Sequence, residues 1–336
     1  MLSRVADAIL WMSRYIERAE HASRVVDVNL NLMLDLGLRE RHGAARFWEA
    51  LISVPEDRAL FYELYDEASE RTVSDFLTFR AENPNSIVST ISRARENART
   101  IRESISTEMW EQLNRFYWQV LNEGARQHWQ EEPHAFYQQV KEASQAFQGI
   151  TDATMLRGEQ WQFVQLGKYL ERADNTSRIL DIKYQSMRHH GSEWNEQIDA
   201  AQWMALLKSC SAFEAYRRFY VSRIEPKRVA EFLIFSHEFP RSIRFSVANA
   251  AGALGEIGAG IENREAKRAE RLLGQLRSYL DYGSTDDVDA MGMHEYLDDL
   301  QGRLNSVTQE LYAAYLIFEP VFSQGLQSAV QQQEQQ

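Results

Sequence analysis

The chain has 336 residues, 44% hydrophobic and 26% charged, with a formal net charge of −12. That balance excludes a disordered chain and leaves length for a substantial core, while the acidic excess argues against nonspecific nucleic-acid or anionic-membrane binding. No apolar run reaches membrane-spanning length, and the opening "MLSRVADAIL" lacks the apolar core of a secretory signal. One cysteine, Cys210, rules out a disulfide framework and any multi-cysteine metal site, so a cytoplasmic setting without membrane or nucleic-acid partners is expected.

Helical periodicity runs from end to end. The first predicted helix spans Ser3 to Leu36, with Ile9, Met12, Ile16, Ala19, Ser23 and Val26 along one stripe and Leu10, Trp11 and Val25 opposite. Apolar on more than one face, it reads as internal. Gly37 ends it, and shorter helices follow to about Arg80. Asn83-Pro84 reads as cap and first-turn proline of a helix running through "SIVSTISRARENARTIRESI". Further helices are expected near 108–123, 133–156, 158–188, 199–222, 226–237, 240–260, 262–282 and 291–317, with "DYGSTDDVDAMGM" as the longest late loop. No segment alternates as a strand would. The fold class is all-α.

The chain repeats itself. "YIERAEHASRVVD" at 15–27 returns as "YLERADNTSRILD" at 169–181, identical at seven of thirteen positions. "FLTFRAENPNSI" at 76–87 returns as "FLIFSHEFPRSI" at 232–243, again at seven positions, and Trp48 and Trp203 keep a similar offset. Collinear matches point to an internal duplication: a first helical repeat over 1–157 and a second over 158–322, related by a pseudo-two-fold and packed as one multi-helix bundle. The polar end, 323–336, is expected to be a disordered tail.

Helical geometry places Glu17 and Arg24 about 20° apart, with Arg18 on another side near Trp11 and Val25. The second copy repeats the layout with Glu171, Arg172 and Arg178. Ions beside so much apolar surface must be paired, since an unmatched buried charge costs several kcal/mol. Two uses remain open. Glu17, Arg18, Glu171, Arg172 and Arg178 can form structural ion pairs that hold the halves in register, or the arginines, with Glu17 and Arg24, can clamp a carboxylate or phosphate.

The copies differ just after the second anchor. "SRARENARTIRE" at 92–103 aligns with "ANAAGALGEIGA" at 248–259. Arg95, Arg99 and Arg102 follow the spacing of one helix face. A shared fold does not explain an unshared cationic row, so Arg95, Glu96, Asn97, Arg99 and Arg102 become the ligand-binding candidates, together with the first Glu-Arg helix. A solvated face bridged by Glu96 and Glu103 is the alternative.

Other chemistries find little support. The Glu-x-x-His spacing of di-metal bundles is out of phase at Glu17, Glu20 and His21, so no metal is expected. Cys210 has no supporting catalytic pattern, and neither a phosphate-binding loop nor a dinucleotide fingerprint is present, so no cofactor is expected.

"ILWMSRYIERAEHASRVVD", "ARENAR" and "LGKYLERADNTSRILD" together resemble the alpha-E family of bacterial all-helical proteins, over essentially the whole chain. One departure is Ser13, where the first copy of the family pattern tends to have glycine; Gly167 keeps it in the second. The resemblance implies partnership with a circularly permuted ATP-grasp protein, and with transglutaminase-like and proteasome-like peptidase proteins. The expected function is therefore a helical accessory subunit of an amide or peptide ligase system that binds an anionic peptide-like ligand or the ligase itself. The alternatives are an enzyme using paired carboxylates and arginines for amide or acyl transfer, and a purely structural adaptor.

Overall fold

The computed structural model describes residues 3–35, 44–52, 58–189, 196–221, 223–259 and 264–316. Among these there are sixteen α-helices and no strand. The expected helix stop at Gly37 and the expected tail lie outside them.

Two long helices make the axis of the molecule: α1 (Ser3–Asp35) and α9 (Glu159–His189), each about 50 Å long at 1.5 Å per residue. Their apolar positions face more than one way because each is covered on several sides. Four helices close a ring in the first half: α1, α5 (Ile87–Thr100), α6 (Thr107–Leu121) and α8 (Pro133–Thr154). In the second half α9, α13 (Ile243–Gly258), α14 (Arg264–Tyr282) and α16 (Met293–Leu311) do the same. The rings join where α1 packs along α9. Helices from each half also reach across: α2 (Ala44–Ile52) lies on α9, and α10 (Glu196–Ser209) lies on α1.

The axial pair packs tightly at Gly167. A Cβ there would sit 2.5 Å from the Leu10 carbonyl oxygen, so the position requires glycine. Opposite, Ser13 fits because its small side chain donates a hydrogen bond of 2.7 Å to the Val164 carbonyl.

Several helix boundaries correct the sequence reading. α5 is capped by Ser86, whose hydroxyl accepts from the Ser89 amide, not by Asn83. Asn83 is fully buried and shapes the preceding turn, accepting from the Asn85 amide and donating to the Phe76 carbonyl. α5 also ends at Thr100, and a 3-10 turn (Arg102–Ser104) replaces its expected last turn.

The single helix expected over 199–222 is two, α10 and α11 (Phe213–Phe219). Ser211, at φ 53°, ends the first through a Schellman pair: the Ala212 amide bonds to the Leu207 carbonyl and the Ser211 amide to that of Lys208. Within the expected loop at 281–293, Thr285–Met291 is helical (α15), its start set by Asp287 accepting from the Ser284 amide at 2.8 Å. A short helix at Ala125–Glu131 (α7) was likewise not anticipated.

Candidate functional site

The two Glu-Arg pairs meet where α1 and α9 face each other. Glu17 is 1% exposed and receives Arg172 through Nε at 2.9 Å and Nη2 at 2.7 Å. Reciprocally, Glu171 receives Arg18 through Nε at 2.6 Å and Nη2 at 3.1 Å. Each arginine thus forks onto the carboxylate of the opposite helix. Within each helix, Arg24 bonds Glu20 and Arg178 bonds Asp174, one turn apart.

Each central glutamate also holds a second cation, and these do not correspond between the halves. Glu171 takes Arg14 at 2.8 Å, from its own partner helix. Glu17 takes Arg241 at 2.7 Å, from the loop between α12 (Pro226–Phe235) and α13, and the same guanidinium reaches Glu20 at 2.6 Å. That loop is held in place by Thr176, which donates to the Arg241 carbonyl. Lys168, aligned with Arg14, makes no ion pair among the described residues; its ammonium lies 4.6 Å from the Tyr169 ring centroid. Burial, then Arg172, pushes Lys168 down to about 8. Asn85, aligned with Arg241, instead accepts from Arg18 at 2.8 Å.

Sequence reading identified the paired Glu-Arg residues but not Arg14 or Arg241. The available signal for Arg241 was its place in "FPRSI" opposite Asn85 in "NPNSI".

Burial opposes ionisation of both glutamates, yet the guanidiniums outweigh it. Arg172 and Arg241 hold Glu17 well below the ordinary carboxylate range, and Arg18 with Arg14 brings Glu171 to about 2. Among the ion pairs of the described residues, six guanidiniums (Arg14, Arg18, Arg24, Arg172, Arg178 and Arg241) meet four carboxylates (Glu17, Glu20, Glu171 and Asp174).

The Arg18–Glu171 and Arg178–Asp174 pairs border a cavity of about 360 Å³. Arg18, His21, Asn85, Glu171, Asp174, Asn175, Arg178 and Asn305 supply its polar lining, and Ala22, Val25, Leu51 and Leu77 its apolar lining. Burial, then the nearby Arg241, lowers His21 to about 4, so it is neutral at physiological pH. None of Arg95, Glu96, Asn97, Arg99, Arg102, Glu17 or Arg24 lines this cavity.

The cationic row sits elsewhere. Arg95 donates to Asn114 at 2.8 Å and lies over Tyr117, its guanidinium carbon 4.5 Å from the ring centroid. Arg99 bonds the exposed Glu96, and Arg102, past the end of α5, lies over Trp110 at 4.7 Å. Glu96 thus pairs with both Arg95, at 3.2 Å, and Arg99, as the solvated-face alternative expected, while aromatic faces on α6 take up Arg95 and Arg102. Asn97 contributes only its carbonyl, to Thr100.

Among the described residues no group of three or more His, Cys, Asp or Glu is placed to hold a metal, and no helix is long and apolar enough to cross a membrane. Burial pushes the Cys210 thiol up to about 12.

Fold and site together define a class: an all-α protein whose two axial helices are cross-linked by reciprocal Glu-Arg forks. The chain belongs to the alpha-E family, a predicted alpha-helical domain with a conserved ER motif, matched over residues 1–316. It is also similar to uncharacterized proteins of Mycobacterium bovis and Mycobacterium tuberculosis, 22% identical over 340 residues. The match covers 92% of this chain but 36% of each relative, so the chain spans little more than a third of their length. No solved structure matches it.

Proposed function

We propose that this chain is a non-catalytic helical subunit that binds an anionic, peptide-like ligand in the cavity between α1 and α9, in the service of an ATP-grasp-type amide or peptide ligase. The observation that carries the binding role is the cavity itself, lined by the Arg18–Glu171 and Arg178–Asp174 pairs beside an apolar wall. Guanidiniums beside a partly apolar wall suit a ligand with an anionic end and some hydrocarbon body. The ligase partnership extends what the family resemblance implies. It gains support from relatives in which the matched region is a minority of a longer chain, as expected of a unit that works joined to others.

A doubled ancestral unit belongs to the same reading, supported by the reciprocal forks and the two four-helix rings. The site moves, however, from the unshared arginine row to the shared motif. An enzyme using the paired carboxylates draws less support. Glu17 and Glu171 are held ionised by two guanidiniums each, far from the near-neutral pKa that proton transfer needs.

The test is reconstitution with the ATP-grasp protein, comparing the wild type with Ala22→Phe, which fills the cavity. Copurification and ligase output raised by the wild type but not by a folded Ala22→Phe are expected. No association and no effect on output would count against the partnership.

A further inference from the structure

Two corners of the molecule match in sequence order and packing but carry opposite charge. α3 (Arg58–Leu64) and α11 are each seven residues long and keep the sequence offset of Trp48 and Trp203. In the first corner Phe61 stacks on Tyr65, and Phe76 of α4 (Glu70–Thr78) meets Phe61 edge-on at 87°. In the second, Tyr216 packs on Tyr220, and Phe232 of α12 meets Tyr216 edge-on at 86°. Matching aromatic contacts thus anchor both short helices and leave their other faces in solvent.

Those outer faces differ. Over residues 208–228, the exposed Lys208, Arg217 and Arg218 make no ion pair among the described residues, against one unpaired acid, Glu214. Lys208 and Arg217 both lie 5.8 Å from the Phe213 ring centroid, and Arg218 follows in the chain, so the three form one patch. Over residues 58–72 the signs reverse. Glu63, Asp66 and Glu67 are exposed without an ion pair among the described residues, against one unpaired cation, Arg71. Glu63 aligns with Arg218. Each patch also borders exposed apolar surface: Phe219 (57%) and Val221 (96%) beside the cations, Tyr62 (42%) beside the acids. Unpaired surface charge alone is ordinary. Opposite charge on corresponding corners, each around apolar side chains, is not explained by a shared fold and has the make-up of a contact surface.

We propose that the two corners bind each other between copies of this chain, the α11 patch of one copy docking on the α3 patch of the next. Arg217 and Arg218 meet Glu63, Asp66 and Glu67, around Phe219 and Val221 set against Tyr62. Charge complementarity selects this occupant: in a chain of net charge −12 most of the surface repels the acidic α3 patch, and the α11 patch attracts it. The contact is heterologous. It leaves a free α3 patch at one end and a free α11 patch at the other, so further copies add in series or close a ring.

Sedimentation velocity of the full chain tests this over a concentration series reaching about 1 mM, the Kd range of weak contacts. At about 0.1 M salt a screening length of about 10 Å damps repulsion between the bodies of two copies but spares charges in contact. The wild type is expected to associate there, and at least about tenfold more weakly at about 1 M salt. Glu63→Arg and Arg218→Glu, both at exposed positions and checked for folding by circular dichroism, should each associate at least about tenfold more weakly than the wild type. Mixing the two variants is the decisive case. The intact α11 patch of the Glu63→Arg variant meets the intact α3 patch of the Arg218→Glu variant, giving a one-to-one pair that grows no further. A wild type that stays monomeric throughout overturns the proposal. So does association that survives either reversal, or a mixture no more associated than its components.

Discussion

Arg172 of α9 grips Glu17 of α1 through two hydrogen bonds of 2.9 and 2.7 Å, with the side chains only 8% and 1% exposed. Removing one member of such a pair strands the other in low dielectric. Arg172→Ala is predicted to cost about 3 kcal/mol in urea unfolding, whereas Glu17→Leu combined with Arg172→Met should cost less than the two single changes added. A single-variant loss below about 0.5 kcal/mol would show the pair to be energetically idle.

The helix crossing gives an independent test of the axial packing. Gly167→Ala forces a methyl against the Leu10 carbonyl and should destabilise by about 1–3 kcal/mol. Gly149, on an exposed face of α8, has nothing within 4 Å of a Cβ, so Gly149→Ala should stabilise by about 0.5–1 kcal/mol. Thermal melts that rank the two variants in the opposite order would contradict the crossing geometry.

Acid should unfold the protein in two ways. Glu171, lowered from 4.5 to about 2, contributes stability that is complete above pH 4.5 and disappears as pH falls toward 2. His21 acts earlier. Its folded value of about 4 lies below the ordinary 6.5, so the unfolded chain binds the extra proton between those values and the fold loses stability as pH falls through them. His21→Asn, the residue at the aligned position of the second copy, should flatten the decline between pH 6.5 and 4 by about 1–2 kcal/mol, allowing for the ring's partial exposure. An unchanged profile in that window would remove His21 from the account.

The arginine row should matter unevenly. Arg99 is 63% exposed on its side chain and its bridge to Glu96 is solvated, so Arg99→Ala should change stability by less than about 0.5 kcal/mol. Arg95→Ala loses the Asn114 hydrogen bond and the Tyr117 contact, and should cost about 1 kcal/mol. Neither change should alter calorimetric binding at the cavity. A large loss of affinity in either would return the site to α5.

Cys210 offers a simple check on burial. With its thiol pushed up to about 12, it should resist thiol reagents at pH 8 in the folded protein and react promptly in urea. Rapid labelling without denaturant would mean that its surroundings are open.

Local periodicity was enough to read α1 as an internal helix, because its apolar residues cover more than one face. The misread boundaries share a cause. Ser86, Ser211 and Ser284 end or begin helices through hydrogen bonds that depend on backbone angles, whereas Asn83-Pro84 merely has the residue types of a helix start.

By itself, the sequence determined the helical class and the chemistry of the repeated Glu-Arg face, since both follow from side-chain spacing along one helix and from the cost of leaving an ion unpaired. Only the tertiary structure decided which arginine meets which carboxylate. Arg241 reaches Glu17 across 224 positions, and Arg95 and Arg102 are taken up by aromatic faces on a neighbouring helix. The cavity, too, exists only once elements from both halves surround it, because its shape depends on distances between helices that no spacing within one helix encodes.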